Sequence, residues 1–147
     1  MSIRLNPYLN FHGNAREALE FYHSVLGGSL DLMRYDSIPG MMGGDDEAEK
    51  IMHGQLETED GLTIMAADYP ASMAEAPDAS TGGNSISVSG DDAARIRAAW
   101  QGLAAGADIV EPFERAPWGD TFGMLRDRFG VPWMFSLAPQ PEEADAG

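Results

Sequence analysis

Ile51-Met52-His53-Gly54-Gln55-Leu56-Glu57, the turn Glu59-Asp60-Gly61 and the run from Leu62 to Tyr69 decide how this chain is read. Together they make a β-hairpin whose register depends on loop length. A three-residue loop with Gly61 in the left-handed position pairs Gln55 with Met65 and Leu56 with Ile64, keeping the two aliphatic residues on one face. A two-residue Asp-Gly turn would pair Glu57 with Ile64 and bury a carboxylate. The longer loop is therefore expected, and it turns His53, Gln55 and Glu57 to the same face as Met65.

Upstream, Ile3 to Phe11 alternates apolar and polar at Ile3, Leu5, Leu9 and Phe11, the period of a half-buried strand, with Pro7 suggesting an edge or a bulge. Gly13-Asn14 ends it. Asn14 is placed to cap a helix, with Glu17 three residues on to complete a capping box. From Ala15 to Leu26 the stripe Ala18, Leu19, Tyr22, Val25, Leu26 predicts a helix that Gly27-Gly28 stops. Leu30 to Tyr35 reads as a strand, and Ser37 to Lys50 as a loop rich in Gly, Met and acid.

Downstream, residues 70–83 form a linker of Pro, Ala, Ser and Gly. The pattern then begins again. Asn84 to Ser89 is a short strand, and Asp91-Asp92 opens a helix through Ile96, Trp100 and Leu103 to Gly106. Ala107 to Phe113, Thr121 to Asp127 and Val131 to Leu137 are three more strands, with Arg128-Phe129-Gly130 as the last hairpin loop. The tail, 138–147, reads as disordered. Both halves run strand, helix, strand, strand, strand, a repeat read from period alone, without obvious residue identity. The expectation is an α+β fold: one domain over 1–137, made of two βαβββ modules (3–69 and 84–137) that form a curved mixed-sheet cup with helices on its outer face.

Composition narrows the function. The 147 residues hold 24 acids against nine Lys plus Arg, a formal charge of -15, which repels phosphate backbones and anionic lipid. There is no cysteine, so disulfides, thiolate zinc sites and cysteine nucleophiles are excluded. No apolar run reaches the roughly 18 residues of a membrane helix, and the first ten residues do not read as an export signal. A soluble, cytoplasmic protein without nucleic-acid or membrane partners is expected. No Ser-His-Asp order or phosphate loop is present; Gly40-Met41-Met42-Gly43-Gly44 lacks the Lys-Ser/Thr end.

The chain resembles the glyoxalase and bleomycin-resistance superfamily, with its vicinal-oxygen-chelate fold, and within it the PhnB-like family. The resemblance runs from Asn6 to Phe135. It rests on Pro7-Tyr8-Leu9-Asn10-Phe11, Ala18-Leu19-Glu20-Phe21-Tyr22, Leu26-Gly27-Gly28, Ile51-Met52-His53-Gly54, Trp118-Gly119, Phe122-Gly123-Met124, Asp127-Arg128-Phe129-Gly130-Val131 and Trp133-Met134. It implies a homodimer, and a superfamily that spans metal-dependent isomerases, dioxygenases, thiol transferases and drug-sequestering proteins. Enzymes of this kind hold a divalent metal with His, Gln or Glu from the first, fourth, fifth and eighth strands. Strand parity matches those places to Asn6, Met65, Ser85 and Met134, none of them a His or a carboxylate, and two thioethers suit such metals poorly.

Among residues that could carry chemistry, His53 with Gln55 could orient a carbonyl or act as a general base, or simply sit hydrogen-bonded on the sheet. Tyr8 and Asn10 share the polar parity of the first strand and suit ligand recognition. Trp118, Phe122 and Met124 could wall an apolar pocket with Met65 and Met134, whereas Trp133 and Phe135, of opposite parity, should pack under the helices. His12 and His23 read as solvated or capping residues. Pro39 to Asp46 could close as a lid or be a plain connector. The leading expectation is small-molecule binding in the cup without metal or other cofactor. The alternatives are a divalent-metal lyase, isomerase or dioxygenase with ligands moved to His53, Glu57 or a partner chain, and sequestration of a cationic drug.

Overall fold

Leu56 and Ile64 lie opposite each other, as do Gln55 and Met65, in the antiparallel pair of strands β3 (Ile51–Glu57) and β4 (Thr63–Asp68). The loop is the three-residue one. Thr58 N donates to Leu62 O, Gly61 N donates to Thr58 O, and Gly61 takes a φ of 86° that a side chain would resist. The register expected from keeping a carboxylate out of the core is the register found.

The structure, a computed structural model, describes residues 3–37, 49–70, 73, 75–80 and 84–140. The chain divides into two compact units, Met1–Gly82 and Gly83–Gly147. In the first, β1 (Tyr8–Phe11), helix α1 (Ala15–Leu26) and β2 (Ser29–Arg34) precede β3 and β4, and the strands lie in the order β1-β4-β3-β2. In the second, β5 (Ile86–Gly90), α2 (Ala93–Ala104), β6 (Asp108–Arg115), β7 (Thr121–Arg126) and β8 (Pro132–Leu137) repeat this as β5-β8-β7-β6. In both, the first strand runs parallel to the fourth and the other pairs are antiparallel. This is the α+β, two-times-βαβββ arrangement of the vicinal-oxygen-chelate fold.

Each helix covers one face of its own sheet. In the first unit Ala15, Ala18, Leu19, Tyr22 and Leu26 of α1 are buried with Phe11, Ile51, Leu56, Ile64 and Ala66 of the strands. In the second, Trp100 of α2 meets Phe135 edge-on with ring centroids 5.4 Å apart, and Trp133 and Phe135 are buried as their parity requires.

Three expectations are corrected. The first strand begins only at Tyr8, and Ile3 and Leu5, expected half-buried, are 97% and 99% exposed; Pro7, which has no N–H to add to a ladder, stands just before its start. Asn14 makes no side-chain cap. The buried carboxylate of Asp68, at the end of β4, caps α1 instead: Oδ1 accepts from Gly13 N and Ala15 N, both at 2.9 Å, and Oδ2 from Ile51 N at 3.0 Å. The second helix behaves as expected, since the Asp92 side chain accepts from Arg95 N. Finally, the halves do share residues. Once the hairpins are laid on each other, Gly54, Leu56, Gly61 and Met65 match Gly123, Leu125, Gly130 and Met134 at one constant interval.

Candidate functional site

The first unit's sheet face turned away from α1 carries the polar residues. Across the sheet Tyr8 lies beside Met65, Met65 beside Gln55, and Gln55 beside Asp31, while His53 lies beside Met33. Alternation along β3 puts His53, Gln55 and Glu57 on this one face. Their side chains form a continuous chain of polar contacts. The Tyr8 hydroxyl is 3.3 Å from His53 Nδ1, with the rings 5.8 Å apart. His53 Nε2 is 3.5 Å from Gln55 Oε1, and Gln55 Nε2 donates to Glu57 Oε1 at 3.0 Å. Arg4 closes the row with an ion pair to the same Glu57 oxygen at 3.3 Å.

At its Glu57 end the row borders a cleft of about 470 Å³ lined by Arg4, Leu5, Asn6, Thr58 and Thr63. That volume lies within the range of small-molecule sites. Partial burial pushes the Tyr8 phenol above its ordinary 10.0, because desolvation penalises the phenolate. The hydroxyl therefore stays protonated at neutral pH.

Four expected site residues, Tyr8, His53, Gln55 and Met65, are thus gathered on one face. Asn10 has the parity of Tyr8 and lies beside Ala67. In the second unit Met124 pairs with Met134, and Phe122, of the same parity, stacks edge-on with Trp118 at 5.8 Å, although Trp118 itself is 65% exposed. Met65 belongs to the first unit and these four to the second. His12 Nε2 is 2.7 Å from Ala76 O and His23 Nε2 is 2.9 Å from Gly28 O, both exposed contacts to backbone carbonyls. The glycine- and methionine-rich segment, Pro39 to Asp46, lies outside the described residues. Sequence reading missed Arg4, whose partner is far along the chain. A second cleft of about 540 Å³ is lined by Arg16, Arg34 and Lys50 against Glu17, Glu49 and Asp68, so its charges balance.

The profile of the Glyoxalase/Bleomycin resistance protein/Dioxygenase superfamily matches residues 4–135. The chain belongs to this superfamily. Among solved structures it is similar to the protein PA1353 from Pseudomonas aeruginosa, with 34% identity, a TM-score of 0.80, and coverage of 95% of this chain and 100% of that one. It shares its fold with a Bacillus cereus protein titled a putative 3-demethylubiquinone-9 3-methyltransferase, PhnB protein, at 24% identity and a TM-score of 0.67, covering 92% of this chain and 100% of the other. Protein YjdN of Escherichia coli is 27% identical over 143 residues, 92% of this chain and 96% of its own.

The places that strand parity matched to the superfamily's metal ligands hold no histidine or carboxylate. Asn6 and Ser85 precede their strands, and the register sets Tyr8 beside Met65 and Ser87 beside Met134. In each unit the pair is a hydroxyl beside a thioether, donors poorly suited to hard or borderline cations. Both nitrogens of His53 are engaged by Tyr8 and Gln55, and the Gln55 amide stands between His53 and Glu57. Among the described residues no group of three or more His, Asp or Glu side chains is gathered for a metal. No described helix is long and apolar enough to cross a membrane.

Proposed function

We propose that this superfamily member binds a small organic molecule, without a metal, on the first unit's sheet face along Tyr8, His53, Gln55 and Met65. The observation that carries this reading is the row of hydrogen-bonded side chains running beside Met65 into a cleft of small-molecule size. Such a face joins apolar contact from a thioether and an aromatic ring to a few fixed polar groups, the composition of ligand sites in general. Asn10 extends the polar row. In the second unit Phe122, Met124, Met134 and the exposed ring of Trp118 offer a more apolar surface of their own.

The test is a fragment library screened by amide NMR on the full chain. Shifts that cluster on Tyr8, Gln55 and Met65 are expected. Clustering on the α1 side of the sheet would overturn the assignment.

The protein acts as a homodimer in this reading, supported by apolar side chains left uncovered: Ile3, Leu5, Ile109 and Val110. A solution mass that stays at 15.8 kDa across micromolar concentrations would remove it.

A further inference from the structure

The row from Glu57 to Tyr8 has a direction. A carboxylate only accepts hydrogen bonds, so Glu57 Oε1 takes one from Gln55 Nε2 and one from Arg4. With its nitrogen so used, Gln55 presents Oε1, an acceptor, to His53 Nε2. That nitrogen must carry the proton. In the neutral imidazole Nδ1 is then bare and accepts from the Tyr8 hydroxyl. Each proton points toward Glu57, and the Tyr8 oxygen is left with lone pairs alone.

From this order, and resting on the reading that this face is the binding site, we propose that the protein selects ligands that bring a hydrogen-bond donor, an ammonium on an apolar body above all, to the Tyr8 oxygen.

The groups facing His53 agree with a donor-bearing, cationic ligand. From β3 come Gln55 and Glu57, from β1 Tyr8, from the segment before it Arg4, and from β2 Met33 and, two residues away, Asp31; β4 contributes Met65. Arg4 is already paired with Glu57. Asp31 is exposed at the margin, and the chain as a whole carries -15.

Two measurements on the full chain separate this inference from the reading beneath it. Nitrogen-15 NMR of the histidines, with His53 assigned through His53→Gln, is expected to show a protonated Nε2 and a bare Nδ1 at about pH 8. Titration with two probes, benzylammonium (donor only) and acetophenone (acceptor only), is expected to favour the first by about tenfold at that pH, the scale of one charge-assisted hydrogen bond. Tyr8→Phe should bring the two affinities together. A proton on Nδ1, with both probes seated on this face, would overturn the inference and leave the binding reading standing. Failure of both probes to shift Tyr8, Gln55 or Met65, with the proton on Nε2, would overturn the binding reading and the inference with it.

Discussion

Gly54 and Gly123 occupy the same place in the two units, each facing the unit's helix from the strand before the hairpin turn. A Cβ on Gly54 would lie 2.3 Å from Leu19 Cδ1, and one on Gly123 would lie 2.8 Å from Phe113 Cα and 2.9 Å from Trp100 Cη2. Glycine here sets how closely helix and sheet approach, which explains why the residue recurs at this point of the repeat.

The two sites should not respond alike to alanine. Leu19 Cδ1 is the far end of a side chain that can rotate, whereas Phe113 Cα is backbone and must move with its strand. Gly123→Ala is therefore expected to cost about 1–3 kcal/mol and Gly54→Ala less. Urea unfolding followed by tryptophan fluorescence and circular dichroism measures both; equal midpoints, or the reverse order, would contradict the packing described.

Asp68 and Asn14 make a second pair. The Asp68 carboxylate satisfies three backbone N–H groups, from Gly13, Ala15 and Ile51, tying the start of α1 to both central strands. An amide in its place sets a donor against one of those donors, so Asp68→Asn is expected to lose about 1–3 kcal/mol. Asn14→Ala, at the position that sequence reading favoured, should change stability by about 0.5 kcal/mol or less, because the Asn14 side chain makes no cap.

What was legible in the chain and what was not separates along the same line. The β3–β4 register could be read because one alternative buries Glu57 and the other does not, a choice made by neighbours in sequence. The parity of β1 and β3 likewise put Tyr8, His53 and Gln55 on one face. Their contact could not be read, since it depends on β1 lying next to β4 rather than to β2. Arg4 and Asp68 act on partners far along the chain, and no local pattern marks either. The shared residues of the halves became visible only when Thr58 and Asp127 were seen to open equivalent turns.

Asp127 extends that equivalence to a third prediction. Its buried carboxylate accepts from Phe129 N and Val131 N through Oδ1 and from Trp133 Nε1 through Oδ2 at 2.9 Å. Asp127→Ala strips an acceptor from three donors and is expected to cost about 3 kcal/mol. The indole N–H resonance of Trp133 should move upfield in the same variant. An unmoved resonance would show that the indole has another partner.

Tyr8 supplies a dependence on pH whose direction follows from its environment. Burial raises its pKa in the folded chain above 10.0, while unfolding returns the phenol to water and to its ordinary value. Between those two values the folded state holds the proton that the unfolded state has lost. Folding stability from this source is therefore complete below about pH 10 and declines as pH climbs through the folded pKa. Whatever else titrates in that range does so equally in a variant without the hydroxyl. Unfolding midpoints of the parent chain and of Tyr8→Phe, taken in steps from about pH 9 to about pH 11, isolate the contribution. The variant should lose stability less steeply over that interval, and because Tyr8 is 46% exposed the difference should be a fraction of the total slope. Parallel slopes would mean that the phenol is as well solvated in the folded chain as in the unfolded one, and that the sheet face around His53 is wetter than its contacts imply.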